Sequence, residues 1–105
     1  MSTRHFNNLT PGEAERLALL AEECGECIQA IGKILRHGYE SVHPEGRDQG
    51  RNNRDNLVRE VGDIRAALSI LCEAGDLDEN DIVSARTEKL QRVGKYLHHQ
   101  PADFL

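Results

Sequence analysis

Two short acidic runs are where this sequence could do chemistry. Glu22, Glu23 and Glu26 lie in Leu19-Leu20-Ala21-Glu22-Glu23-Cys24-Gly25-Glu26, and Glu60 and Asp63 lie in Arg59-Glu60-Val61-Gly62-Asp63-Ile64. Glu23 and Glu26 are three residues apart, as are Glu60 and Asp63, so on helices each pair projects from one face. Carboxylates converging from two helices repel each other unless a cation neutralises them. An all-oxygen donor set suits Mg2+, with Mn2+ as a substitute. A Mg2+ held this way keeps waters and usually shares its remaining positions with substrate phosphates. Either pair alone fits a solvated helix face, because Glu is a good helix former. Two pairs, each in the middle of a long apolar stripe, are better evidence for a metal site than either alone, and spacing leaves both readings open.

Three segments must position these acids. Thr10 can cap a helix, Pro11 suits its first position and Glu13 completes a capping box. From there Leu17, Leu20, Ala21, Cys24, Ile28, Ile31 and Leu35 recur at spacings of three and four, one apolar helical stripe that ends at Gly38. A second helix is expected from Asp55 or Asn56, with a stripe of Leu57, Val61, Ile64, Leu68 and Leu71, ending at Gly75. A third, capped by Asp78 or Asn80, carries Ile82, Ala85, Leu90, Val93 and Leu97 and runs to His98-His99-Gln100. On a helical wheel Glu60 and Asp63 border the second stripe beside Ala67. Glu23 and Glu26 share a face with Ala30 and Lys33, offset from the first stripe, and Gly25 leaves room for close approach.

No segment alternates with period two, so no strand is expected and the fold class is all-α. The chain forms one domain over residues 1–105, with an irregular start at 1–9 and a Gly-, Asn- and Arg-rich loop at 39–54. Loops of that length in a compact domain are usually functional or disordered. The two long helices should form an antiparallel pair. Three narrow stripes make a thin core, and dimerisation would complete an antiparallel helical bundle.

Composition sets the outer limits. The chain has 105 residues, 13 Lys+Arg against 18 Asp+Glu, a net charge of −5 and only 4% aromatics. One domain fits, the acidic balance excludes nonspecific binding to a nucleic-acid polymer, and no apolar stretch approaches the ~20 residues of a membrane span. The first residues lack the apolar core of a signal peptide, so a cytoplasmic protein is expected. Cys24 and Cys27 have C-x-x-C spacing but sit within a helical pattern. With Cys72 they are expected to be small buried apolar side chains. His98 and His99 suit a helix end, where His favours the dipole.

The ordered acidic pair, with its helical setting and flanking glycines, resembles the MazG-like all-α nucleoside triphosphate pyrophosphohydrolases over roughly residues 10–98. The first run resembles the family's E-E-x-x-E motif and the second its E-x-x-D motif. The resemblance implies dimers, often tetramers, in which helices of two subunits make the bundle. It implies metal ligands at Glu23, Glu26, Glu60 and Asp63, with Glu22 matching the motif's first acid. The implied reaction is hydrolysis of a nucleotide between the α and β phosphates, giving a monophosphate and pyrophosphate. Glu22 or Glu23 could orient or deprotonate the attacking water.

Positive groups should then meet the outer phosphates. Lys33 and Arg36 follow Glu26 on the first helix, and Lys33 shares its face. Arg54 and Asn56 precede the second helix. Lys89 and Lys95 lie on the third, where similar proteins place basic residues, and Arg47, Arg51 and Arg54 of the loop could close over a nucleotide. One departure stands out: 33 residues separate Glu26 from Glu60, more than the family usually shows, and the surplus falls in the loop. Tyr39, Tyr96, Phe6 and Phe104 are the only aromatics available to stack on a base. The rival readings are a phosphoribosyl-ATP pyrophosphohydrolase, a non-catalytic helical interaction module, and a zinc or redox sensor built on Cys24 and Cys27.

Overall fold

The computed structural model describes residues 6–101, and Phe104 lies outside the described residues. They form three helices, α1 (Pro11–His37), α2 (Asn53–Glu73) and α3 (Glu79–Val93), followed by a 3-10 turn at Gly94–Tyr96. Among the described residues there is no strand, only one isolated bridge between Val42 and Asn52.

Local chemistry explains each boundary. Thr10 Oγ1 accepts from the Glu13 N–H at 3.1 Å while Glu13 Oε1 accepts from the Thr10 N–H at 2.8 Å, the expected capping box. At the other end of α1, Gly38 takes φ 87°, a left-handed value open to glycine, and its N–H closes on the Ile34 carbonyl at 2.7 Å. Helix α2 starts two residues before the expected Asp55, because Asn52 is the cap. Asn52 Oδ1 accepts from the Asp55 N–H at 2.9 Å, and Asp55 Oδ2 accepts from the Asn52 N–H at 3.2 Å. Asp78 caps α3 through the N–H groups of Asn80 and Asp81. This helix stops at Val93, short of the expected His98–Gln100, where Gly94 opens the tighter 3-10 turn.

Helices α1 and α2 form the expected antiparallel hairpin. Its open end is pinned by Arg16, whose Nε and Nη2 donate to Asp76 Oδ2 and Oδ1 at 2.6 and 3.0 Å. This two-pronged pairing with the Arg16 guanidinium holds the Asp76 carboxyl below its ordinary range. At the loop end, the buried Asn53 side chain donates to the Gly38 carbonyl at 3.0 Å.

The core between the helices is small. Among the described residues only Ala30, Ala67 and Leu71 are buried and apolar, at 8%, 1% and 1% exposure. The face of α1 turned to α2 is not the expected aliphatic stripe. It is the neighbouring face carrying Leu20, Glu23, Cys27, Ala30 and Ile34, a set whose members are buried or half-buried. Ile28 is 69% and Leu35 82% exposed, and Leu17 and Ile31 are exposed too. On α2 the expectation holds better, since Leu57, Ile64, Leu68 and Leu71 are all at least half-buried and of the stripe only Val61 is exposed.

Helix α3 buries no residue. The radius of gyration is 17.8 Å, where a compact chain of this length would have about 13 Å. A three-helix core is therefore not assembled within one chain. The cysteine expectation also fails: Cys24 is exposed, and Cys27 and Cys72 are only half-buried. Cys24 alone lies on the outer stripe of α1 and would be covered only if that face were.

Candidate metal centre

The hairpin register decides which acids meet. Antiparallel packing sets the middle of α1 against the first half of α2, so Glu23 and Glu26 face Glu60 and Asp63. One carboxylate oxygen from each of the four lies within 4.8 Å of all the others. Glu23, Glu26 and Glu60 are half-buried and Asp63 is exposed, so the cluster sits at the edge of the helix interface and opens outward.

These acids are unsatisfied as they stand. Glu23 Oε2 and Glu60 Oε2 are closed off from solvent and have no hydrogen-bond partner. Both carboxyls are pushed up from their ordinary range. For Glu23 the chief cause is desolvation, followed by the charges of Glu26 and Asp63. For Glu60 it is desolvation, followed by Glu26 and then Asp63. A buried oxygen without a partner costs free energy, and four converging carboxylates add repulsion. A hard divalent cation would relieve both. The residues present fit it, with four oxygen donors on two helices at mutually compatible separations and two oxygens with no other partner.

A cavity of about 370 Å³ opens beside the cluster. Glu26, Glu60 and Asp63 line its acidic side, while Lys33, Arg51 and Arg59 bring cationic groups to the same space. Lys33 also lines a second cavity of about 500 Å³, with Arg36, His37, Val42 and His43. The two cavities share Lys33, Asp48 and Asn53.

The other sequence candidates scatter. Glu22 is exposed and outside the quartet, so four acids gather rather than five. Asn56 lines the first cavity and Arg36 only the second. Arg54 lines neither: its guanidinium pairs with Glu40 and stacks 4.5 Å from the centre of the Tyr39 ring. Lys89 and Lys95 are exposed on α3 and the turn after it, away from both cavities, with Lys95 over the Tyr96 ring. Of the three loop arginines expected to close over a nucleotide only Arg51 lines the cavity, and Asp48, which the sequence did not point to, lines it too. Their loop has no periodicity from which a direction could be read, and its density of Arg was the only signal.

The all-helical hairpin presents four carboxylates beside a cavity that Lys33, Arg51 and Arg59 also line, a donor set that suits a divalent cation together with a phosphate-bearing ligand. The model of the MazG nucleotide pyrophosphohydrolase domain matches residues 12–98, most of the chain. The protein belongs to the MazG family, and that membership implies nucleotide pyrophosphohydrolase activity in general terms. No curated protein and no solved structure matches the chain.

Proposed function

We propose that this protein is a Mg2+-dependent hydrolase that cleaves a nucleoside or deoxynucleoside triphosphate between its α and β phosphates, releasing the monophosphate and pyrophosphate. The observation that carries this reading is the quartet of Glu23, Glu26, Glu60 and Asp63, with its two unpartnered oxygens, in a chain of the MazG family. These four residues would hold the cation, which when bound supplies charge neutralisation at the phosphates and acidifies a bound water.

The chain's own groups supply the rest. Glu23 has one oxygen with no partner, and burial with the neighbouring acids raises its carboxyl, so it is the acid suited to orient or deprotonate the attacking water. Glu22 stands at the next position, facing solvent, and acts on Glu23 only through its charge. Lys33 has no ion pair among the described residues, so its charge is free to meet a phosphate in the cavity it lines.

The functional unit in this reading is a homodimer or homotetramer. The exposed stripe of Leu17, Ile28, Ile31 and Leu35, the unburied α3 and the large radius of gyration support it. Among the described residues no helix is long and apolar enough to cross a membrane.

A nucleotide panel with Mg2+, scored for pyrophosphate against phosphate, tests the reaction. The expected result is pyrophosphate from at least one triphosphate, lost in Glu60→Gln. Phosphate alone, or no product from a folded protein with Mg2+ or Mn2+, overturns the proposal.

A further inference from the structure

The loop joining α1 to α2 is ordered at both ends and aimed at the cavity. The Asn53 and Arg54 N–H groups donate to the Ser41 and Tyr39 carbonyls at 3.0 and 2.9 Å, and with the Val42–Asn52 bridge they zip its base. Its tip is a run of turns: Gly46 N–H to His43 O, Gln49 N–H to Gly46 O and Arg51 N–H to Asp48 O, each at 3.0 or 3.1 Å. Gln49 and Gly50 both take left-handed backbone, φ 56° and 79°. That pair turns the chain back, so that Asp48 and Arg51 both line the cavity beside the carboxylates.

Arg51 is held there by neutral groups. Its Nε donates to Asn56 Oδ1 at 3.3 Å and its Nη1 to Gln49 Oε1 at 3.4 Å, while Asn56 Nδ2 donates to Asp48 Oδ2 at 3.1 Å. Asn56 thus ties Arg51 to the first turn of α2, the helix that carries Glu60 and Asp63. Arg51 forms no ion pair among the described residues, in contrast to Arg47 with Glu45 and Arg54 with Glu40. A guanidinium has five N–H donors, so most of those on Arg51 are unspent.

We propose that Arg51 is a substrate-binding residue that receives non-bridging oxygens of the polyphosphate, and that Asn56 is its positioning residue. The inference rests on the metal-and-phosphate reading of the cavity given above. A free anion entering this space is repelled by Glu26, Glu60 and Asp63, and a bare cation satisfies only the acidic side. A polyphosphate carrying a divalent cation satisfies both sides at once. The guanidinium fork matches phosphate geometry in a way that an ammonium does not.

The test is calorimetric binding of inorganic tripolyphosphate in the presence of Mg2+, which needs no turnover. Arg51→Ala should weaken binding by roughly ten- to a hundredfold, the range of a charge-assisted hydrogen bond. Arg51→Lys should recover only part of it and Asn56→Ala should lose less, while Arg47→Ala, removing equal charge from the same loop, should stay within about twofold. The rise in Tm caused by Mg2+ alone should persist in Arg51→Ala, which reports an intact fold and quartet.

Unchanged tripolyphosphate binding in Arg51→Ala overturns the proposal. So does an equal loss in Arg47→Ala, or no binding by the unsubstituted protein. If binding depends on Arg51 yet no nucleotide is hydrolysed, Arg51 keeps its role and the hydrolase reading fails instead.

Discussion

Helix α1 has two faces about a quarter turn apart, and they have opposite characters. The inner face, with Glu23, Glu26 and Ala30, is covered by α2 although it carries two acids. The outer face, with Leu17, Ile28, Ile31 and Leu35, is aliphatic and exposed. Hydrophobicity alone would reverse this, burying the stripe and solvating the acids. The inner face instead brings the acids together, with Ala30 and Ala67 small enough to let the helices approach there. The outer face fits the subunit interface proposed above. A single chain thus places charge where burial is costly and leaves exposed the surface that burial would stabilise.

The largest expected effect comes from breaking the inner face. Glu60→Gln should reduce pyrophosphate release by roughly a hundredfold or more, since even residues that merely support metal ligands cost that order. The same substitution should raise the metal-free Tm at pH 8, because it removes a charge with a buried, unpartnered oxygen. A lower metal-free Tm would mean that the quartet is structural rather than held ready for a ligand.

The outer face is tested by adding charge to it. Wild type should run in light scattering at a multiple of the 11.8 kDa chain mass, and Ile28→Glu or Leu35→Lys should shift it toward one chain. An unchanged mass in both variants would leave the stripe without a partner.

Acidity separates the two faces more gently. Glu23 and Glu60 titrate above the ordinary carboxyl range in the folded protein. Their contribution to metal-free stability is therefore fully present below the unfolded-state value and lost as pH rises through the folded one. Metal-free Tm should fall on going from the ordinary glutamate range upward. The increase in Tm given by Mg2+ should grow over the same interval, as protons cease to compete with the cation. A Mg2+ shift independent of pH would place the cation elsewhere.

The smallest effect is at Gly25, an exposed position of α1. A Cβ there meets nothing within 4 Å in the single chain. Gly25→Ala should stabilise an isolated chain by up to about 1 kcal/mol through helix propensity. A loss of stability in the assembled protein would show that a partner approaches at this glycine.

The acids of the site were legible because helical spacing is a local property: three residues apart on a capped helix is one face whatever the helix packs against. The caps at Thr10 and Asp78 were legible for the same reason. The buried face of α1 was not, because it depends on what α2 and any partner present to it. Arg54 and Arg51 show the limit most clearly. Three residues apart in a cation-rich segment, they looked equivalent, yet Glu40 and Tyr39 hold one away from the site while Asn56 holds the other in it. Glu22 and Glu23 are adjacent and carry the same side chain, and the turn of the helix sends only the second into the quartet.

The three helices, the caps at Thr10 and Asp78 and the spacing within each acidic pair are local outcomes, because capping, periodicity and i, i+3 spacing act within a few residues of chain. Only the tertiary structure decided that the pairs face each other, that Glu22 stands outside them, that Arg51 rather than Arg54 reaches the cavity and that the aliphatic stripe is left bare. Those outcomes follow from the antiparallel register of α1 on α2 and from the turns of the connecting loop, which bring together residues far apart in the chain.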